Sequence, residues 1–103
     1  MYLTIRSYKG ATNVADIENK VNTDLIPQFR ETEGFNSYYL VDLGDNNLAS
    51  VTIFETHEQA DAATEKVRGW VSENLKANLP NAPTVVSGEV KINATGKAVG
   101  ITA

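Results

Sequence analysis

A chain of 103 residues, 42% hydrophobic and 21% charged, has room for one modest core and is too ordinary in composition for disorder or a fibrous repeat. A net charge of −4, with lysines and arginines scattered singly, offers no basic stripe for phosphates and excludes nucleic acid as an expected partner. There is no cysteine for disulfides, thiolate metal sites or nucleophiles, and neither a membrane-span-length apolar run nor a signal-peptide pattern in "MYLTIRSYKG", so the cytoplasm is the expected compartment and no membrane partner is expected.

Residues 2–8, "YLTIRSY", alternate and are rich in β-branched and aromatic types, which predicts a first strand. From Asn13 the period changes. Val14, Ile17, Val21, Leu25 and Phe29 recur at three and four residues, the spacing of one helix face, with Asn13 as N-cap. Pro27 has no N–H for the carbonyl four residues back, so a kink or break is expected near residues 22–25, with Asp24 capping the restart. Gly34 supplies the left-handed residue that ends a helix, and Phe35 can pack back on the last turn.

Strands over residues 35–43 and 48–55 flank "GDNN", whose residues accept the positive φ of a tight hairpin. Thr56 with Gln59 forms a capping box, and Ala60, Ala63, Val67, Val71 and Asn74 line the inner stripe of a second helix that runs to about residue 77. The prolines of "NLPNAP" stop it. "TVVSGEVKI", residues 84–92, is the fourth strand; residues 1–92 make a single domain and residues 93–103 a tail, loose or a short strand.

The order β-α-β-β-α-β predicts a ferredoxin-like α+β fold: a four-stranded antiparallel sheet with two helices on one face. Alternation divides the strand residues into two sets. Leu3, Ile5, Tyr38 and Leu40, with Ala49, Val51 and Ile53, read as the core set. Tyr2, Thr4, Arg6 and Tyr8, with Tyr39, Val41 and Leu43, and then Leu48, Ser50, Thr52 and Phe54, read as the helix-free set. Six large side chains on a bare face are worth roughly 10 kcal/mol if buried, so the expectation is a homodimer closed through that face. Otherwise Thr4, Arg6, Ser50 and Thr52 keep the face wet.

These residues resemble the dimeric α+β barrel superfamily, and within it the antibiotic biosynthesis monooxygenase-like proteins. The resemblance covers residues 1–92 and rests on the element order, on "TEGFNSYYLVDLGDNNLASVTIFET" and on "RGWVSENLKANLP". It implies a dimeric α+β barrel and a small-molecule-binding protein similar to the cofactor-independent monooxygenases. Their pocket lies between sheet and helices, where polar groups bind a phenol and help deprotonate it before oxygen reacts. A small aromatic ligand and no cofactor are thus expected, with Trp70, Asn74, Tyr39 and Arg6 as ligand-binding candidates. Haem-degrading members carry an Asn near the end of strand one and a Trp and a downstream His with helix two. Trp70 matches the Trp, but Ser7 stands near the Asn position and the single histidine, His57, precedes Trp70, so an axial imidazole is missing.

His57 and Asn74 are the catalytic candidates, each with a plainer reading beside it. His57 follows the Thr56 cap as a solvated first-turn residue, and no Ser, Cys or Asp stands at an interpretable spacing to make it a general base. Trp70 falls on the flank of the helix stripe, where packing is the plainer role and roofing a pocket the sharper one. Asn74, on the inner stripe, needs a partner for a buried amide. Arg6 either binds an anionic ligand or pairs with an acid such as Asp42 or Glu55. The acids form no metal-binding motif. The alternative to a ligand-binding protein is a non-catalytic homodimeric scaffold or interaction module with a packed interior; a cavity of about 300 Å³ or more with converging polar groups separates the two.

Overall fold

The computed structural model describes residues 1–96. In chain order it has β1 (Tyr2–Tyr8), α1 (Val14–Lys20), a π-helical turn (Val21–Leu25), α2 (Ile26–Arg30), β2 (Phe35–Gly44), β3 (Asn47–Phe54), α3 (His57–Asn74) and β4 (Thr84–Glu89). The strands form one four-stranded sheet in the order β2-β3-β1-β4, and every neighbouring pair is antiparallel. This is the expected ferredoxin-like α+β fold, with the helical segments packed on one face. Of the expected tail, residues 93–96 carry no regular structure and residues 97–103 lie outside the described residues. Among the described residues no helix is long and apolar enough to cross a membrane.

Local chemistry accounts for most of the boundaries. Asp45 and Asn46 both take positive φ between Gly44 and Asn47, the two-residue turn whose twist suits a hairpin. Gly34, at φ +82, ends the first helical layer, and Phe35 stacks on Phe29 with ring centroids 5.4 Å apart. At the start of α3 the capping box is complete: Thr56 Oγ1 accepts from the Gln59 N–H at 3.2 Å, and Gln59 Oε1 accepts from the Thr56 N–H at 3.1 Å. Phe29, Phe35 and Phe54 pack edge-to-face and stacked into the part of the core under β2 and β3.

The helix does not break before Pro27. It widens into a π turn, in which the Ile26 N–H reaches Val21 O while the backbone stays right-handed throughout. The wider turn accommodates the missing proline donor, and Asp24 does not cap a restart; α2 has no side-chain cap. Asp24 is used elsewhere, as described below.

The face assignment of β1 and β3 is the opposite of the one expected. Thr4, Arg6 and Tyr8 of β1, and Leu48, Ser50, Thr52 and Phe54 of β3, face the helices and are buried. Leu3, Ile5, Val51 and Ile53 lie on the helix-free side. On β2 the expectation holds: Tyr38 and Leu40 pack against the core, while Tyr39, Val41 and Leu43 are exposed. Register is the reason. Ile5 pairs with Val51 and Val51 with Tyr39, so these three share a face, whereas grouping Val51 with Tyr38 ignores the cross-strand partner. The helix-free face is therefore aliphatic around one tyrosine instead of tyrosine-rich.

Candidate functional site

Alternation along β1 carries Arg6 onto the helix side between Thr4 and Tyr8, and the β3 residue opposite it is Ser50. Arg6 is 2% exposed. One guanidinium nitrogen, Nη1, donates to Thr52 Oγ1 at 3.3 Å, and Nη2 donates to Thr64 Oγ1 of α3 at 3.0 Å. The Thr64 hydroxyl spends its own proton on Ala60 O at 3.0 Å, which leaves its lone pairs for the arginine. Among the described residues, which include every acidic side chain of the sequence, no carboxylate pairs with Arg6. The expected acid partners are engaged elsewhere: Asp42 Oδ1 accepts from the Gly44 N–H in its own turn, and Glu55 accepts from Asn36.

Two phenols share the cluster. Burial pushes the Tyr38 hydroxyl up to about 12, with Tyr8 adding to the rise and Arg6 and Ser50 opposing it. Burial also raises Tyr8, against the pull of Arg6. Desolvation works against the Arg6 charge, lowering its pKa, but an arginine remains protonated in any ordinary medium. Near neutral pH the cluster is thus one buried cation among neutral hydroxyls.

Two grooves open beside this cluster. One, of about 320 Å³, lies between α3, β1 and β4; its floor includes Arg6 and Tyr8, its walls are Val67, Val71, Leu79 and Val85, and its rim carries Arg68 and Lys76. The other, of about 450 Å³, lies between the first helical layer and β2, with Tyr38, Leu40 and Ile26 inside and the exposed Glu18, Arg30 and Asp42 around it. It is larger, but its charges are of both signs and solvated. Between the grooves, beneath Trp70, the sheet and helices enclose a void of only about 20 Å³. The centre is packed and the space lies at its two ends.

The residues singled out from sequence do not converge. Arg6 and Trp70 are both buried on the helix side, but Trp70 belongs to the inner stripe Ala60, Ala63, Val67, Trp70 instead of its flank. Its Nε1 donates to Asp24 Oδ2 at 2.5 Å. Asn74 is exposed, because α3 ends there and Leu75 takes the inward position; its amide donates to Trp70 O at 2.9 Å. The buried amide is Asn78, which donates to Thr12 O and to Asp16 Oδ2. Tyr39 lies on the helix-free face. His57 is exposed and stacked on Tyr2 at 4.2 Å, and, contrary to the expectation that no Asp stands at a usable spacing, its Nε2 lies 3.3 Å from Asp61 Oδ2 one helical turn on, both side chains in solvent. Sequence reasoning passed over Tyr8, Tyr38, Thr52 and Thr64. The signal was present: Thr64 follows Ala60 by four residues on the α3 stripe, and two side chains at alternate β1 positions, Thr4 and Arg6, stand opposite the β3 hydroxyls of Thr52 and Ser50. Among the described residues no group of three or more His, Cys, Asp or Glu side chains is placed to hold a metal ion.

Solved structures of the same architecture match nearly the whole chain. A protein of unknown function from Nitrosomonas europaea superposes with a TM-score of 0.73 at 10% identity, covering 94% of this chain and 95% of its own. A monooxygenase from Streptomyces coelicolor, the product of the gene ActVA-Orf6 in complex with the ligand nanaomycin D, gives 0.69 at 14% identity, covering 93% and 92%. An antibiotic biosynthesis monooxygenase gives 0.64 at 20% identity, covering 87% and 98%. At these identities the likeness is one of fold. No family model and no curated protein matches the sequence.

Proposed function

We propose that this chain, which shares the fold of the antibiotic biosynthesis monooxygenase-like proteins of the dimeric α+β barrel superfamily, is a cytoplasmic small-molecule-binding protein that holds its ligand between sheet and helices and acts as a homodimer. The observation that carries the reading is the groove beside α3: about 320 Å³, apolar on its walls, with Arg6 and the Tyr8 phenol at its floor. That volume lies at the small end of ordinary ligand sites, and a few fixed polar groups in an apolar wall are what such sites contain. Arg6 stays among the ligand-binding residues in this reading. Trp70 supports the layer behind them, and Tyr39 belongs to the dimer face.

The dimer rests on the helix-free side of the sheet. Leu3, Ile5, Val41, Val51, Ile53 and Val86 form an aliphatic surface there, and burying six such side chains is worth roughly 10 kcal/mol, comparable with the stability of a whole small domain. A second copy presenting the same face closes it with two-fold symmetry.

In the monooxygenase-like reading, a hydroquinone bound in the groove gives its proton to solvent and the anion reacts with oxygen, one oxygen atom entering the ring to leave a hydroxyquinone and the other departing as water. Incubation with hydroquinones under oxygen, without metal or flavin, should give turnover that falls when Tyr8 becomes Phe. Turnover no higher than buffer background removes the reaction for that substrate class. The packed centre, with its void of about 20 Å³, favours a second reading in which the dimer is a non-catalytic scaffold. Screening small aromatic compounds by chemical-shift mapping separates them: shifts gathered at Thr64, Val71 and Val85 belong to the first reading, and none anywhere to the second.

A further inference from the structure

We infer that the groove beside α3 selects small organic carboxylates, with Arg6 supplying the charge at its floor and an apolar body lying against Val67, Val71 and Val85. The inference rests on the reading of that groove as a ligand site and names the class of ligand it takes.

A buried cation is normally held by a carboxylate, because removing it from water is costly and an opposite charge repays most. Arg6 is 2% exposed and has none among the described residues. Its guanidinium has five N–H donors, and two threonine hydroxyls accept from two of its nitrogens. Neutral hydroxyls can orient a guanidinium but cannot balance its charge. If the role were only to tie β1 to β3 and α3, an uncharged amide would do it without the desolvation cost.

The groove repeats the same sign outward. Arg68 and Lys76 stand at its rim, no acid among the described residues lines it, and this occurs on a chain whose net charge is −4. Arg68 is tied to Glu65 at 2.9 Å, but both are well exposed, so that pair is screened by solvent and leaves the field inside the groove to Arg6. A planar guanidinium matches a carboxylate in fork geometry, and the walls leave room for one ring or a short chain.

The test is binding of cinnamate and octanoate against their neutral amides, followed by calorimetry and by amide shifts at Thr64, Val71 and Val85. The carboxylates should bind at least about tenfold tighter than the amides, the difference expected of a charge-assisted contact. Arg6→Gln should abolish that preference. Should Arg6→Gln fail to fold, the parent protein in high salt decides: the preference for carboxylate should persist, as expected of a buried charge, and its loss would place the charge at the exposed rim and overturn the role of Arg6. Phenyl phosphate binding more tightly than the carboxylates would overturn the choice of head group. Equal binding of acid and amide would overturn the inference while leaving the ligand site standing; no shift at the groove with any probe removes both.

Discussion

The indole Nε1 of Trp70 donates to the carboxylate of Asp24 at 2.5 Å, and this contact ties the π turn to the C-terminal part of α3. Widening of the helix before Pro27 places Asp24 where it can meet a residue 46 positions away. Trp70 is 7% exposed and Asp24 lies at the surface, so the carboxylate covers the edge of a buried indole. Asp24→Ala should cost about 1–3 kcal/mol in urea unfolding, whereas Asp24→Asn, which keeps an acceptor oxygen, should lose markedly less. Equal stability of Asp24→Ala and the parent would show the contact to be incidental.

The Tyr38 phenol makes stability depend on pH at the alkaline end. Its pKa is raised in the folded state from 10.0 to about 12, so between these values the unfolded chain gives up the proton first. The native state then binds more protons than the unfolded one, and unfolding free energy falls as pH rises. The contribution is fully present below about pH 10 and lost through about pH 12; its size is on the order of 2 kcal/mol. Chemical denaturation at pH 9, 10 and 11 should show this decline. Tyr38→Phe should flatten it, with Tyr8, raised in the same direction, accounting for what remains.

Val51 sits at the centre of the helix-free face, between Ile5 of β1 and Tyr39 of β2. A lysine there would place two like charges against each other across the proposed two-fold contact, far from the helix-side core. Sedimentation of the parent at micromolar concentration should give twice the chain mass, and Val51→Lys should give a single chain with unchanged far-ultraviolet circular dichroism. A parent that sediments as one chain overturns the dimer.

Gly34 and Gln59 form a second long-range tie. A Cβ at position 34 would run into the Gln59 side chain, the same group that accepts from the Thr56 N–H in the capping box. Gly34→Ala should therefore combine backbone strain at φ +82 with loss of half the cap, about 2 kcal/mol together. Because both act on one group, Gly34→Ala and Gln59→Ala should be less damaging together than their separate costs add up to, measured as a double-mutant cycle.

The sequence by itself determined what depends on near neighbours in the chain. Gly34 and the Asp45–Asn46 pair occupy positive φ because few residues tolerate it, the Thr56–Gln59 box closes across three residues, and helical spacing from Val14 to Phe29 marks one face. These signals are local, and together they order the elements into β-α-β-β-α-β. Only the tertiary structure decided which side of β1 and β3 faces the helices, since a shift of one residue in register exchanges the two sets and alternation alone is blind to it. Transfer energies favoured the set without Thr4, Arg6, Ser50 and Thr52. Those polar residues are buried because α3 brings Thr64 to Arg6 across 58 positions and the neighbouring hydroxyls satisfy one another. The same long-range packing put Asp24 on Trp70, moved Asn74 out to solvent and left Arg6 beneath a groove, arrangements that arise only when distant segments meet in space.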